Sequence, residues 1–304
     1  MPWCARVPAK INLHLQVVGR RSDGFHELRT VYQSVALWDE VRAEDTGPGT
    51  DLTLEVEAGS VVPAGPENLV LRAAHALRVA AGRHGGARLT LKKSIPVGGG
   101  LGGGSADAAA TLVLLNEVWD LALDVGELHE IAASLGSDVP FFLRGGLALG
   151  TGRGEEVWPL ADLEPMPVLL VFPAVSISTA EVFGSLERGD RWASMSRRVY
   201  SGLARTPSHI EWGCLANDLQ GPVCGRYSAV ASALRRLENG RCVHAAMTGS
   251  GSCVFAVYRS RRDALRDSES FPSCGVHLAT TLTREQSRIR VEPEGPSDVG
   301  TRPA

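Results

Sequence analysis

The segment Pro96-Val-Gly-Gly-Gly-Leu-Gly-Gly-Gly-Ser-Ala106 limits what this chain can fold into more than any other part of it. Six of seven consecutive residues, 98–104, are glycine, and each costs backbone entropy inside a helix or strand. The run therefore predicts irregular backbone. It follows an alternating stretch over 87–95 that Pro96 ends, and it feeds an alanine- and leucine-rich helix pattern from Ser105 to about Trp119. Glycines let the main chain approach a ligand and turn several N–H groups inward, and a helix amino terminus adds roughly half a positive charge. Both favour a di- or triphosphate. The plainer alternative is a flexible linker or a tight helix–strand contact, and the order strand, proline, glycines, helix weighs against it.

Three familiar phosphate loops match poorly. Gly98, Gly100 and Gly103 formally satisfy G-x-G-x-x-G, but a dinucleotide fold needs a second parallel strand ending in an acid about 20 residues on. That region, Asn116-Glu-Val-Trp-Asp, is helix-like, which counts against a dinucleotide-dependent oxidoreductase. No lysine follows the glycines as a P-loop requires, and the Val-Ala-Ile-Lys and His-Arg-Asp strings of protein kinases are absent.

Elsewhere the pattern is mixed. Residues 10–18 alternate, with Ile11, Leu13, Leu15 and Val17 on one side, and predict a half-buried strand before a polar loop over 19–27. Further strands are expected at 30–37, 40–45 and 51–57. Asn68 reads as the N-cap of a helix to about Ala81, and Asp124 with Glu127 as a capping box for a helix ending at Gly136. Short strands at 147–149 and 155–160 precede Asp162-Leu-Glu-Pro-Met-Pro167, the clearest boundary. Beyond it come strands at 168–172, 243–247, 253–258 and 275–282, a capping box at Ser178 and Glu181, and a helix at 227–238. Helices and strands do not alternate as regular βα units, so the expected class is α+β. Two domains are expected within the 304 residues, 1–163 and 164–291, followed by a Pro/Gly/Asp-rich flexible tail at 292–304.

A formal charge of -3 from 31 basic and 34 acidic residues, without a long basic run, argues against a nucleic acid partner. No stretch reaches about 18 uninterrupted apolar residues. Met1–Lys10 carries Arg6, Pro8 and Lys10 where a signal peptide needs an apolar core. The expectation is a cytoplasmic protein with no membrane partner, a monomer or weak homodimer. Its six cysteines form no C-x-x-C pair and read as thiols without assigned chemistry. Only three of the 31 basic residues are lysine: Lys10, Lys92 and Lys93. Ammonium and guanidinium are not interchangeable at a site, which marks Lys10 as a candidate.

Asp138, in Leu-Gly-Ser-Asp-Val-Pro-Phe-Phe, follows a helix stop. By itself it suits an N-cap; beside a lysine it could accept the proton of an alcohol during phosphoryl transfer. Thr248-Gly-Ser-Gly-Ser252, between two strands, is either a permissive hairpin or a second glycine loop that reaches the nucleotide or the substrate.

Taken together, Pro8-Ala-Lys10-Ile-Asn12-Leu, Pro96 to Ala106 and Met247-Thr-Gly-Ser-Gly-Ser252 resemble, in order and separation, the three motifs of the GHMP small-molecule kinases. More narrowly, Asp23-Gly-Phe-His-Glu27, Gly136-Ser-Asp-Val-Pro-Phe-Phe142 and Ser178-Thr-Ala-Glu-Val-Phe183 resemble members whose acceptor is a cytidine-diphosphate-linked methylerythritol. The resemblance runs from about residue 6 to 282.

It implies a ribosomal-protein-S5-like amino-terminal domain, a ferredoxin-like carboxy-terminal domain and a site between them. It also implies ATP-dependent phosphorylation of the acceptor's 2-hydroxyl in the non-mevalonate isoprenoid pathway. Asp138 would be the base, and Lys10 would orient it and offset developing charge. Pro96, Val97, Gly98, Gly99, Gly100, Leu101, Gly102, Gly103, Gly104, Ser105 and Ala106 would wrap the ATP phosphates. Phe25 and Phe183 would sandwich the cytosine with His26 bonding its edge, and Asn12, Thr248 and Gly249 would lie near the substrate. Mg2+ is expected with ATP, with Ser105 as a hydroxyl ligand. Phe25 stands where many relatives carry tyrosine, and Pro173-Ala-Val-Ser lacks a glycine often found after that proline. A homoserine, mevalonate or sugar acceptor, or a non-catalytic nucleotide sensor, are the competing readings.

Overall fold

Two long antiparallel strands, β1 (Trp3–Arg20) and β2 (His26–Pro48), carry the amino-terminal half. The computed structural model describes residues 2–58, 62–186 and 210–294. The expected strands at 30–37 and 40–45 are one strand. Pro8 pairs with Trp38 and Ala9 with Val35, so a bulge, not a break, absorbs the irregular pattern between them. At the far end Arg20 pairs with His26, which turns the polar loop into a tight hairpin tip carrying Phe25 and His26.

β2 is long enough to hold two partners on the side away from β1. β4 (Gly85–Lys92) pairs with its second half, and β5 (Leu147–Thr151) pairs with residues 30–33. β3 (Leu52–Val56) runs parallel to β4, and β6 (Glu156–Pro159) pairs with β5. Helices α1 (Leu69–Ala80), α2 (Gly103–Val118), α3 (Val125–Leu135) and α4 (Val139–Arg144) pack together, with α2 against β1 and β2. The carboxy-terminal half is an antiparallel sheet in the order β10-β7-β9-β8, formed by Gly275–Thr280, Pro167–Phe172, Val254–Val257 and His244–Met247. Helices α5 (Thr179–Gly184), α6 (Gln220–Arg226), α7 (Ser228–Glu238) and α8 (Arg261–Ser268) belong to this half, and a single turn, α9 (Arg284–Ser287), follows β10. Two sheets with their own helices make the α+β arrangement expected. All six cysteines are free thiols, and no helix among the described residues is long and apolar enough to cross a membrane.

Two expectations about strand faces and ends need correction. β1 is buried on both sides. Ile11, Leu13 and Val17 are fully buried as expected, but Lys10, Asn12, His14 and Gln16 on the polar side are also at most 5% exposed. The cover comes from the carboxy-terminal half: Leu15 N–H donates to Ala216 O at 2.8 Å, and Asp218 Oδ2 accepts from Val17 N–H at 2.8 Å. Glu292 and Pro293, expected at the head of a flexible tail, form strand β11 (Val291–Pro293), which pairs with Trp3–Ala5. An uncapped edge of β1 supplies the main-chain groups that fix them. The rest of that tail, 295–304, lies outside the described residues.

The covered face of β1 gives the fold an acid sensitivity. Burial pulls His14 and His244 down to about 4 from the usual 6.5, and His14 adds to the depression of His244. The unfolded chain therefore takes up protons at both rings as pH falls below about 6.5, whereas the folded chain does not until about pH 4. Stability from these rings is complete above that window and declines as pH falls through it, by up to roughly 3 kcal/mol per ring at 1.36 kcal/mol per unit. Urea unfolding at pH 7, 5.5 and 4.5 is expected to show this decline, with a shallower pH slope in His244→Leu. Equal slopes in the two proteins would show that His244 does not contribute.

Candidate active site

The glycine segment is held at both ends. Asp39 Oδ1 accepts from the Ser94 and Ile95 N–H groups at 2.6 and 2.8 Å, which fixes the chain as it leaves β4. Lys93 Nζ pairs with Asp39 and lies 2.8 Å from Asp107 Oδ2 on α2. Burial drives the Asp107 carboxyl up; the Lys93 ammonium opposes that and the Asp39 charge adds to it. Between these anchors Gly98, Gly100 and Gly102 take φ values of +75°, +75° and +72°. The expectation of irregular backbone throughout is too broad, because Gly103 and Gly104 form the first turn of α2. Their glycines serve close packing: a Cβ on Gly103 would stand 3.0 Å from both Ile95 Cγ2 and Lys93 Nζ.

Two distant segments, residues 10–12 of β1 and the stretch 248–253, meet at this loop. Lys10 N–H donates to Leu101 O at 3.1 Å, and Cys253 N–H donates to Gly99 O at 3.3 Å. Thr248 Oγ1 accepts from Asn12 N–H at 3.1 Å and lies 3.2 Å from Gly100 O. Asn217 Nδ2 donates to Met247 O at 2.7 Å and Gly249 O at 2.8 Å, so the 248–252 loop is fixed from beneath. That loop is therefore more than a hairpin turn; it abuts the first glycine loop.

Lys10 Nζ donates to Asn12 Oδ1 at 2.7 Å and lies 3.2 Å from Asp138 Oδ2. Asp138 occupies the N-cap position of α4, yet its side chain makes no capping hydrogen bond. Its carboxylate goes to Lys10 and, at Oδ1, to the Tyr32 hydroxyl at 3.0 Å. A third of the Asp138 side chain is exposed while Lys10 is buried. The pair thus lies at the floor of a cleft with the carboxylate facing out.

The cleft has a volume of about 1350 Å³ and is lined by Lys10, Asn12, Gly100, Gly102, Ser105, Asp138 and Gly249 at one end. Phe25, His26 and Phe183 line it at the other. Phe183 stacks on His26 with ring centroids 5.2 Å apart, and the Arg153 guanidinium lies 4.9 Å from the Phe25 ring centre. The ring facing Phe183 is thus His26. A second hollow of about 270 Å³ shares Gly100 and Gly102 and is lined by Pro96, Val97, Gly98, Gly99, Leu101, Gly103 and Gly104, with Asn68, Lys93 and Asp107. Thr248 is fully buried behind the cleft, and Ala106, also fully buried, lines neither hollow.

Known proteins resemble this chain along most of its length. Residues 68–146 match the GHMP kinases N terminal domain and residues 208–277 the GHMP kinases C terminal domain. A 4-diphosphocytidyl-2-C-methyl-D-erythritol kinase of Pelotomaculum thermopropionicum is 44% identical over 281 residues, covering 90% of this chain and 96% of that protein. The chain belongs to the GHMP kinase family. A relative with the same name from Moorella thermoacetica is 42% identical, with 86% and 94% covered. The crystal structure of a 4-(cytidine 5'-diphospho)-2C-methyl-D-erythritol kinase superposes with a TM-score of 0.76 at 34% identity, covering 91% and 98% of the two chains. A homoserine kinase from Cytophaga hutchinsonii shares the fold, with a TM-score of 0.73 at 18% identity.

As a GHMP kinase the protein is an ATP-dependent small-molecule kinase. Several side chains around this kinase's cleft are not singled out by the sequence. Tyr32 sits in an ordinary alternating strand, and Arg153 in a glycine-rich turn. Thr179 and Ser250, whose hydroxyls lie 2.7 Å apart on the cleft wall, fall inside two of the quoted motifs, which give them no role of their own. One signal did exist for Lys93. It shares with Lys10 the rarity of lysine in this chain, and both are buried and ion-paired.

Proposed function

We propose that this kinase transfers the γ-phosphoryl group of ATP to the 2-hydroxyl of 4-diphosphocytidyl-2-C-methyl-D-erythritol, as a cytoplasmic enzyme of the non-mevalonate isoprenoid pathway. The observation that carries this reading is the Lys10–Asp138 pair, 3.2 Å apart where the glycine loops meet a cleft with aromatic side chains at its other end. The acceptor oxygen attacks the γ-phosphorus, the bond to the β–γ bridging oxygen breaks, and ADP leaves. Asp138 takes the hydroxyl proton. Lys10 orients the carboxylate, and its buried charge offsets the negative charge that develops on the transferred group. Main-chain groups of residues 96–105 surround the phosphates, and Asn12, Thr248 and Gly249 hold the two loops in register around them.

Magnesium fits this donor set. It favours phosphate oxygens and water over an all-protein cage. Ser105 offers a hydroxyl on the cleft wall, and among the described residues no three His, Cys, Asp or Glu side chains gather as ligands. Bound with the nucleotide, the ion supplies charge neutralisation on the phosphates.

The acceptor's cytosine is assigned to the aromatic end, between Phe25 and Phe183, an arrangement that requires His26 to leave the face of Phe183, on which it stacks in this structure, for the edge of the base. Each aromatic stack on a base is worth roughly 1–3 kcal/mol. Phe183→Ala is therefore expected to raise KM for the cytidylyl acceptor about ten-fold or more and to leave KM for ATP nearly unchanged. Equal changes in both would point to an acceptor without a base. The direct test supplies ATP, magnesium and separately the cytidylyl acceptor, homoserine, mevalonate and simple sugars. Selective phosphorylation of the first supports the reading, and preference for any other replaces it.

A further inference from the structure

We propose that Tyr32 is a positioning residue for phosphoryl transfer, its phenol fixing the Asp138 carboxylate through the oxygen that Lys10 does not hold. This rests on the reading of Asp138 as the proton acceptor. The torsion that turns a carboxylate about its last carbon–carbon bond is broad. A single ammonium at one oxygen is a point charge and does not define the carboxylate plane. Here Lys10 Nζ lies 3.2 Å from Oδ2 and the Tyr32 hydroxyl donates to Oδ1 at 3.0 Å. With both oxygens held, rotation gives up one contact or the other.

The phenol is itself locked. Tyr32 is 2% exposed, and its ring lies 4.8 Å from that of Phe141. Lys10 Nζ stands 5.6 Å from the ring centre, so one side chain touches both members of the pair. The surrounding chain makes room for it. A Cβ on Gly150 would stand 2.5 Å from Tyr32 Cε2, and one on Gly154 would collide with the hydroxyl. Gly154 O, 3.4 Å away, is the hydroxyl's other neighbour. Burial, and then the charge of Asp138, hold the phenol's proton far above its usual range, so it stays a donor.

Proton transfer depends on alignment, and small misplacements cost up to about a hundred-fold. Tyr32→Phe removes one oxygen atom and keeps the packing. It is expected to lower kcat about ten-fold or more, with KM for ATP and acceptor within about two-fold and the melting temperature close to wild type. The ascending limb of kcat against pH should move to higher pH, because the carboxylate loses a donor that favours its charged form. Site-specific 3-fluorotyrosine at position 32, a stronger donor, should move that limb the other way, and this arm survives if Tyr32→Phe fails to fold. Wild-type kcat with an unmoved limb overturns the proposal, and so does a lower kcat with an unmoved limb, which assigns the loss to packing. Asp138→Asn separates the two layers. If it keeps turnover, the reading of Asp138 fails. If it is inactive while Tyr32→Phe is silent, only the role of Tyr32 fails.

Discussion

Asp138→Asn is expected to lower kcat by roughly a thousand-fold, within the span a positioned general base contributes, and to leave ATP affinity within about two-fold. The substitution keeps size and shape but removes the charge that faces Lys10. The amide can still turn its oxygen to Lys10 and its NH2 to the Tyr32 hydroxyl, but it carries no charge and takes no proton. The glycine loop does not depend on that carboxylate. Its anchors are Asp39, Lys93 and the main-chain contacts from Lys10 and Cys253. Turnover by coupled ADP release and ATP binding by calorimetry measure the two quantities independently. Wild-type kcat in this variant would remove Asp138 from the chemistry, and a parallel loss of ATP binding would make its role structural.

Gly100→Ala is expected to be nearly as severe, for a mechanical reason. Gly100 sits at φ +75°, and an added Cβ would run into the carbonyl oxygen of Thr248, with the Thr248 carbonyl carbon at 3.1 Å and Gly251 O at 3.2 Å. The obstacle is main chain, so no side-chain rotation relieves it. A left-handed alanine costs about 1–2 kcal/mol and overpacking about 1–3 more. Part of that strain would be relieved by parting the two loops, which also undoes the Asn12–Thr248 contact. The expected outcome is loss of most kcat/KM with a lower melting temperature. Gly98→Ala is the control: φ is the same +75°, but nothing lies within 4 Å of the new Cβ. Equal melting temperatures for the two variants would refute the steric account.

Parts of this site are written in consecutive residues, and those parts are legible. The glycine run, the Asn68 cap and the Asp124–Glu127 capping box are local, and each appears where expected. The polar side of β1 shows where local reasoning stops. Alternation from Lys10 to Gln16 says that one face is apolar, but whether the other meets water depends on residues 215–218, some two hundred positions away. The same holds for Tyr32. Its ring position follows from β2, whereas its hydroxyl partner is 106 residues distant. The fused β2 is invisible for a different reason, since a bulge opposite Pro8 and Ala9 imitates a turn in the hydrophobic pattern. The motif resemblance supplies what spacing cannot, since it names Lys10 and Asp138 as a pair, and the two stand 3.2 Å apart.

The pairing of Trp3–Ala5 with Val291–Pro293 has a consequence for how the protein is made. β1 leaves the ribosome well before its edge partner β11, so its outer margin stays open there until Val291–Pro293 have been made, and unpaired margins of this kind invite association with other chains. The nascent enzyme must therefore keep that margin of β1 safe while β11 is still being synthesised. The sheet of the amino-terminal half is complete only when these two segments come side by side.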